Sequence, residues 1–253
     1  MTDAAPVPAR FETTYRVRFD EAGADGLVRS SALLRYVQDI AWQHSEGAGF
    51  GRDWYGERQL TWLVRSLQLD IAGAAPFGSS LTVSTEVVGF RRVWARRLSE
   101  ITGENGRDVA SVLIDWVLLG PGAAPTRVPV EIERAFAVQI PTFAPFRVNA
   151  DDPGEAAFRQ RLTVARRDLD PLAHVNNAVY VEYMEEAVEA AGGAEALASL
   201  PRSYRLEYLL PAEANAALTG AVSRSQGGWA YRLFDETGRD VFRGSLSSPT
   251  PDG

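Results

Sequence analysis

The sequence predicts an α+β fold built from two tandem copies of one unit, each an antiparallel sheet wrapped around one long helix. Three observations carry this. Trp94-Ala-Arg-Arg-Leu98 recurs as Trp229-Ala-Tyr-Arg-Leu233, and Gly106-Arg-Asp-Val109 recurs as Gly238-Arg-Asp-Val241. In both halves a stretch alternating with strand period runs through a short turn into a helical stripe. A further series of alternating strands follows each helix, and 253 residues leave room for two domains of ordinary size.

In the first copy Tyr15, Val17 and Phe19 alternate with Arg16 and Arg18, the pattern of a half-buried strand. Leu33, Leu34, Val37, Ile40 and Ala41 then fall on one helical stripe. Strands follow through Leu67, Leu69 and Ile71, and through Val112, Ile114, Trp116 and Leu118. In the second copy Leu162 and Val164 begin the strand, and Val181, Met184, Ala187 and Val188 form the stripe. Tyr204, Leu206 and Tyr208 and a tail from Trp229 to Leu246 supply the strands. Glu104-Asn-Gly-Arg and Glu236-Thr-Gly-Arg read as hairpin turns with glycine at a positive φ. We place the units at 1–143 and 144–253, with a linker from about 120. Gly120-Pro-Gly-Ala-Ala-Pro125 opens it, and a short helix over 130–138 starts behind Pro129. Pro141, Pro145 and Asp151-Asp-Pro-Gly154 mark its remainder, and residues 247–253 read as a frayed tail.

Composition removes several chemistries. There is no cysteine, so disulfides, thiolate metal sites and a thiol nucleophile are excluded. All 26 basic residues are arginine, which excludes Schiff-base chemistry on lysine. His44 and His174 are far apart in sequence, so no metal site and no cofactor is expected. A net charge of −7 argues against nucleic-acid binding. We see neither a signal peptide nor a membrane span, and expect the cytoplasm.

The chemistry concentrates in Asp168-Leu-Asp-Pro-Leu-Ala-His-Val-Asn-Asn-Ala-Val-Tyr180, which brings an acid, an imidazole and a helix N-terminus to one turn. Asp170 suits a base on water or a nucleophile. Free backbone N–H groups at the start of the following helix suit an oxyanion, each donor being worth about 3 kcal/mol. His174 reads as polariser and proton handler, Asn176 as the group that positions water or substrate. Asn177 reads as the helix N-cap and a substrate contact. His44, near a helix end, reads as a packing residue, and Glu182, Glu185, Glu186 and Glu189 as a solvated face, with Glu186 the one that could turn toward the sheet. In the first copy we align Ala22 with Asp170 and Gly26 with His174, so that copy has neither acid nor imidazole.

Strand, turn, His-Val-Asn-Asn-x-x-Tyr and helix together resemble the hotdog-fold thioesterases, and the doubled form resembles the acyl-acyl carrier protein thioesterases. Gly23-Ala-Asp25, Gln38-Asp-Ile-Ala41, Leu60-Thr-Trp-Leu-Val-Arg65 and Leu206-Glu-Tyr208 carry the likeness over roughly residues 12 to 245. The resemblance implies a double hotdog with continuous sheets, hydrolysis of a fatty acyl thioester on acyl carrier protein or coenzyme A, and acyl-chain binding by the first unit. Trp42, Trp62 and Leu67 would then limit the chain, and the run Arg91, Arg92, Arg96 and Arg97 would meet the acidic carrier or the coenzyme A phosphates. Two departures stand out. Leu172 occupies the place of an Asn in the family's Asp-x-Asn-x-His turn, and Pro211 and Ala212 fall where plant-type enzymes carry an acidic residue and a cysteine, with Glu213 displaced. A non-catalytic acyl-binding protein and a MaoC-like enoyl hydratase or dehydratase are the competing classes. Acyl length, carrier, pathway and oligomeric state, a homodimer included, stay open.

Overall fold

In the computed structural model, residues 8–136, 138, 143–148, 153–154, 157–225 and 227–248 are described. Ten strands form one antiparallel sheet. Five come before the linker: β1 (Arg10–Arg16), β2 (Thr61–Ile71), β3 (Ser80–Arg91), β4 (Trp94–Thr102) and β5 (Asp108–Leu119). Five come after it: β6 (Phe158–Thr163), β7 (Arg202–Tyr208), β8 (Ala217–Ser225), β9 (Gly228–Phe234) and β10 (Asp240–Ser247). The helices are α1 (Ser30–Gly47), α2 (Arg52–Glu57), α3 (Val130–Phe136), α4 (Asn177–Ala190) and α5 (Ala194–Ala198).

The strand order is β1-β3-β4-β5-β2-β7-β10-β9-β8-β6, the same from either edge once each strand is replaced by its repeat partner. The duplication read from the short repeats is thus built into the sheet. Its centre is the ladder between β2 and β7, where Leu67 pairs with Leu206 and Leu69 with Tyr204. All four side chains are fully buried. α1 packs on β1, β3 and β5, α4 packs on β6, β8, β9 and β10, and the two helices touch.

The helical stripes hold as expected. Leu33, Leu34, Val37 and Ile40 are fully buried, as are Val181, Met184 and Val188. Phe19 departs from the alternation: β1 ends at Arg16, and Phe19 stands 83% exposed in a single helical turn at Phe19–Glu21. Gly106 and Gly238 take the positive φ expected of them, at 72° and 80°. The solvated face assigned to α4 also needs correcting. Arg35 of α1 pairs with Glu182 at 3.0 Å, so this acid joins the two units, and Glu185 accepts the Tyr204 hydroxyl of its own unit at 2.6 Å; Glu186 and Glu189 are exposed.

Residues 143–148 of the linker cross the sheet face opposite the helices. Beneath them Asp115, wholly buried, accepts both Arg96 Nε at 2.7 Å and Arg96 Nη2 at 2.9 Å. Arg96 also donates to the Ala144 carbonyl, and its guanidinium lies 4.2 Å from the Phe143 ring centre. Further along, Val148 N donates to buried Glu207, which pairs with Arg65. The division set at 143/144 therefore falls inside a strap that touches both halves. The helix expected over 130–138 is α3, described over Val130–Phe136. Pro141, Asp151, Asp152 and the tail residues 249–253 lie outside the described residues.

Candidate active site

The turn between β6 and α4 is held by its backbone. The Asp168 carboxylate accepts from Ala165 N at 2.9 Å and from the Tyr183 hydroxyl at 2.7 Å, while its carbonyl accepts Asn176 N. Asp170 N donates to the His174 carbonyl at 2.8 Å, and Ala173 N donates to the Asp170 carbonyl. Ala173 closes this tight loop at a φ of 63°, a left-handed conformation unusual for a residue with a Cβ. Asp170 Oδ1 accepts Leu172 N at 2.8 Å, the Asx turn that an aspartate before proline favours. Its Oδ2 stays without a hydrogen-bonding partner among the described residues.

Asn176, not Asn177, is the N-cap of α4. Its Oδ1 accepts Ala178 N at 2.9 Å, and its carbonyl accepts Val179 N. Asn177 is the first helical residue, and its N–H is the one left over in the first turn. The two asparagines are adjacent, so only geometry separates the cap from its neighbour. Behind the turn, Val175 N donates to the Ala212 carbonyl, and Tyr208 hydroxyl donates to the Asn177 carbonyl. Ala212 thus adjoins the site as the resemblance placed it, but it is buried and brings only backbone; Pro211 and Glu213 are exposed.

Asp170, Pro171, Leu172 and Asn176 border a cavity of about 680 Å³ whose remaining wall comes from the first unit. α1 contributes Gln38, Ala41, Trp42 and Ser45; β2 contributes Trp62; Phe90, Trp116 and Phe136 are among its aromatic lining. Trp42 and Leu172, from opposite units, are half exposed where the cavity meets solvent. Trp62 Nε1 donates to the Tyr55 hydroxyl at 3.0 Å, which fixes the indole in the wall.

The structure joins Asp170, Asn176, Trp42 and Trp62 in one place. His174 is not with them: it is half-buried on the same turn, does not line the cavity, and its imidazole makes no hydrogen bond to Asp170. Leu67 is also elsewhere, fully buried in the ladder between the units. The basic run divides. Arg91 and Arg92 are exposed at the hairpin joining β3 and β4, with Arg91 donating to the Phe143 carbonyl; Arg96 is tied to Asp115 and Arg97 faces the cavity. Strand alternation is the signal that separates Arg96 from Arg97, since neighbours in a strand face opposite sides.

The backbone sets the two turns one residue away from the pairing of Ala22 with Asp170 and Gly26 with His174. Gly23 N donates to the Leu27 carbonyl as Asp170 N does to that of His174, and Gly26 at φ 76° matches Ala173. Gly23 and Leu27 therefore stand opposite Asp170 and His174, and the first copy still lacks both groups. Sequence reasoning assigned no role to Gln38, Ser45 or Tyr55. Their positions on α1 and α2 differ little from core positions until the neighbouring unit is placed.

Two family models match the chain: the acyl-ACP thioesterase N-terminal domain over residues 8–136 and the C-terminal domain over 152–218. An acyl-[acyl-carrier-protein] hydrolase of Cuphea viscosissima is 27% identical over 218 residues, covering 78% of this chain and 52% of that protein. A palmitoyl-acyl carrier protein thioesterase of Arabidopsis thaliana is 28% identical over 217 residues, with shares of 78% and 52%. The chain spans about half the length of the curated relatives it matches. An acyl-ACP thioesterase structure from Bacteroides thetaiotaomicron superposes with a TM-score of 0.81 at 15% identity, covering 94% of this chain and 97% of that one. The 12:0-ACP thioesterase from Umbellularia californica gives 0.77 at 22% identity, with 95% and 97% covered. These likenesses show a shared fold, and with both family models matching in order, the chain belongs to the acyl-ACP thioesterase family.

Proposed function

We propose that this protein hydrolyses the thioester of a fatty acyl chain held by an acyl carrier protein, releasing the free fatty acid. One juxtaposition carries the reading: Asp170 and Asn176 of the second unit border an apolar cavity walled by the first. The relatives' names add acyl carrier protein as the carrier, and exposed Arg91 and Arg92 are a docking point for its acidic surface.

The residues support a sequence of steps in which Asp170 is a base. Its free Oδ2 takes a proton from water, and the hydroxide adds to the thioester carbon. The oxyanion is held by the Asn177 N–H at the positive end of α4 and by the Asn176 side-chain amide, whose Nδ2 is left free by the N-cap bond. Collapse breaks the C–S bond, and the departing thiolate takes the proton from Asp170. His174, away from the cavity, acts in this scheme only through the backbone of the turn.

Thiol release from acyl thioesters on acyl carrier protein and on coenzyme A, across chain lengths, tests the proposal. Turnover with preference for the protein carrier is the expected result. Tight binding without thiol release indicates an acyl-binding protein, and hydration of an enoyl thioester indicates the hydratase chemistry; either result removes the hydrolase reading.

A further inference from the structure

Arg97 projects from β4 into the cavity wall and is only 7% exposed. Its Nη1 donates to His44 Nδ1 at 3.0 Å and to Thr85 Oγ1 at 3.4 Å, and its guanidinium carbon lies 5.7 Å from the Phe136 ring centre. His44 Nε2 donates to the Pro8 carbonyl at 3.0 Å, so its proton sits on Nε2 and the ring beside Arg97 is neutral. Among the described residues no carboxylate pairs with Arg97. Its Nε and Nη2 donors have no partner there either, although a guanidinium offers five N–H donors in a fixed fork. A buried charge without a counter-charge is costly. Arg96, its neighbour in the strand, shows the alternative this chain also uses: a bidentate pair with a buried aspartate.

We propose that the cavity accepts acyl chains carrying a carboxylate beyond the thioester, and that Arg97 is the residue that selects them. The carboxylate would take the free side of the fork in the bidentate geometry arginine favours, while the aromatic and aliphatic lining covers the methylenes. Burial also pushes the Arg97 pKa down to about 10, still high enough to keep the cation at neutral pH. This assignment rests on reading the cavity as the acyl site of a thioesterase.

The test compares half-thioesters of dicarboxylic acids with unsubstituted acyl thioesters of the same chain length, on the same carrier, in wild type and Arg97→Met. A charge-assisted pair in a shielded site is worth roughly ten- to a hundredfold. We expect wild type to favour the carboxylated substrate in kcat/KM by about that factor at some length in the series, and Arg97→Met to reverse the preference. A wild type that favours the plain chain at every length, or a variant that slows both substrates equally, overturns the proposal. Binding of S-alkyl coenzyme A thioethers to wild type, with and without a terminal carboxylate, needs neither the variant nor catalysis. Tighter binding of the carboxylated thioether supports Arg97 even if no thioester is hydrolysed; equal or weaker binding rejects it even if plain thioesters turn over.

Discussion

Glu21 and Asp168 hold the same corner in the two units. Glu21 accepts Arg18 N at 2.9 Å and the Tyr36 hydroxyl, and Asp168 accepts Ala165 N and the Tyr183 hydroxyl. The carbonyl of each accepts the N–H at the foot of its long helix, from Arg29 in one unit and Asn176 in the other. One polar bracket therefore fastens helix to turn in both halves, and only in the second does the turn beyond it carry a free carboxylate at the cavity.

That equivalence separates the bracket from the chemistry. Asp168→Ala leaves the Tyr183 hydroxyl and the Ala165 N–H without an acceptor, and should cost about 1–3 kcal/mol of stability. Denaturant unfolding measures this loss, and Glu21→Ala should give a similar one. If activity in Asp168→Ala falls while stability does not, Asp168 belongs to the reaction instead.

Asp170→Asn should keep the fold, because the amide oxygen can still accept Leu172 N. Removing the base should lower thiol release by about a hundredfold or more. Near-normal turnover in a folded variant would reject Asp170 as the base. His174→Ala should change the rate far less than Asp170→Asn.

Acidity should weaken the fold through His44. Burial first and Arg97 second push its pKa from 6.5 down to about 4, against the Pro8 carbonyl, which favours the charged form. The unfolded histidine takes a proton near 6.5 and the folded one only near 4. Stability is therefore fully present above about 6.5 and declines as the pH falls toward 4, by about 2–3 kcal/mol. His44→Gln retains an acceptor for Arg97 and a donor for Pro8 without titrating. Its unfolding free energy should fall less than that of wild type over this range, and parallel curves would remove His44 as the cause.

Trp62 and Leu67 should part company when shortened. Trp62→Ala enlarges the cavity and should move the preferred substrate toward longer chains in a substrate panel. Leu67→Ala opens the ladder between the units and should cost about 2–5 kcal/mol with the chain-length profile unchanged. A length shift in Leu67→Ala would return Leu67 to the acyl site.

The fold was legible because its signals are periodic. Stripes such as Leu33, Leu34, Val37 and Ile40 and repeats such as Trp94 and Trp229 need only local spacing. The site was legible to the level of its turn, since Asp170 and Asn176 lie close in sequence and in space. What escaped depends on direction. No composition rule tells which of Asn176 and Asn177 caps the helix, or that Ala173 takes the left-handed φ its counterpart Gly26 takes freely. Gln38 acquires a role only when the other unit's turn is set against it. Arg97 could have been found: placing four arginines on one surface ignored that Arg96 and Arg97 must face opposite ways.

The shared ladder of β2 and β7 makes the two halves depend on each other. Severed within the strap, neither fragment would own both the acid and the pocket, and each would present a raw hydrogen-bonding border. Mixed together they should reassemble and recover turnover. Because length choice and bond cleavage are contributed by different fragments, exchanging residues 8–136 for those of a relative should transplant the preference and leave the acid untouched.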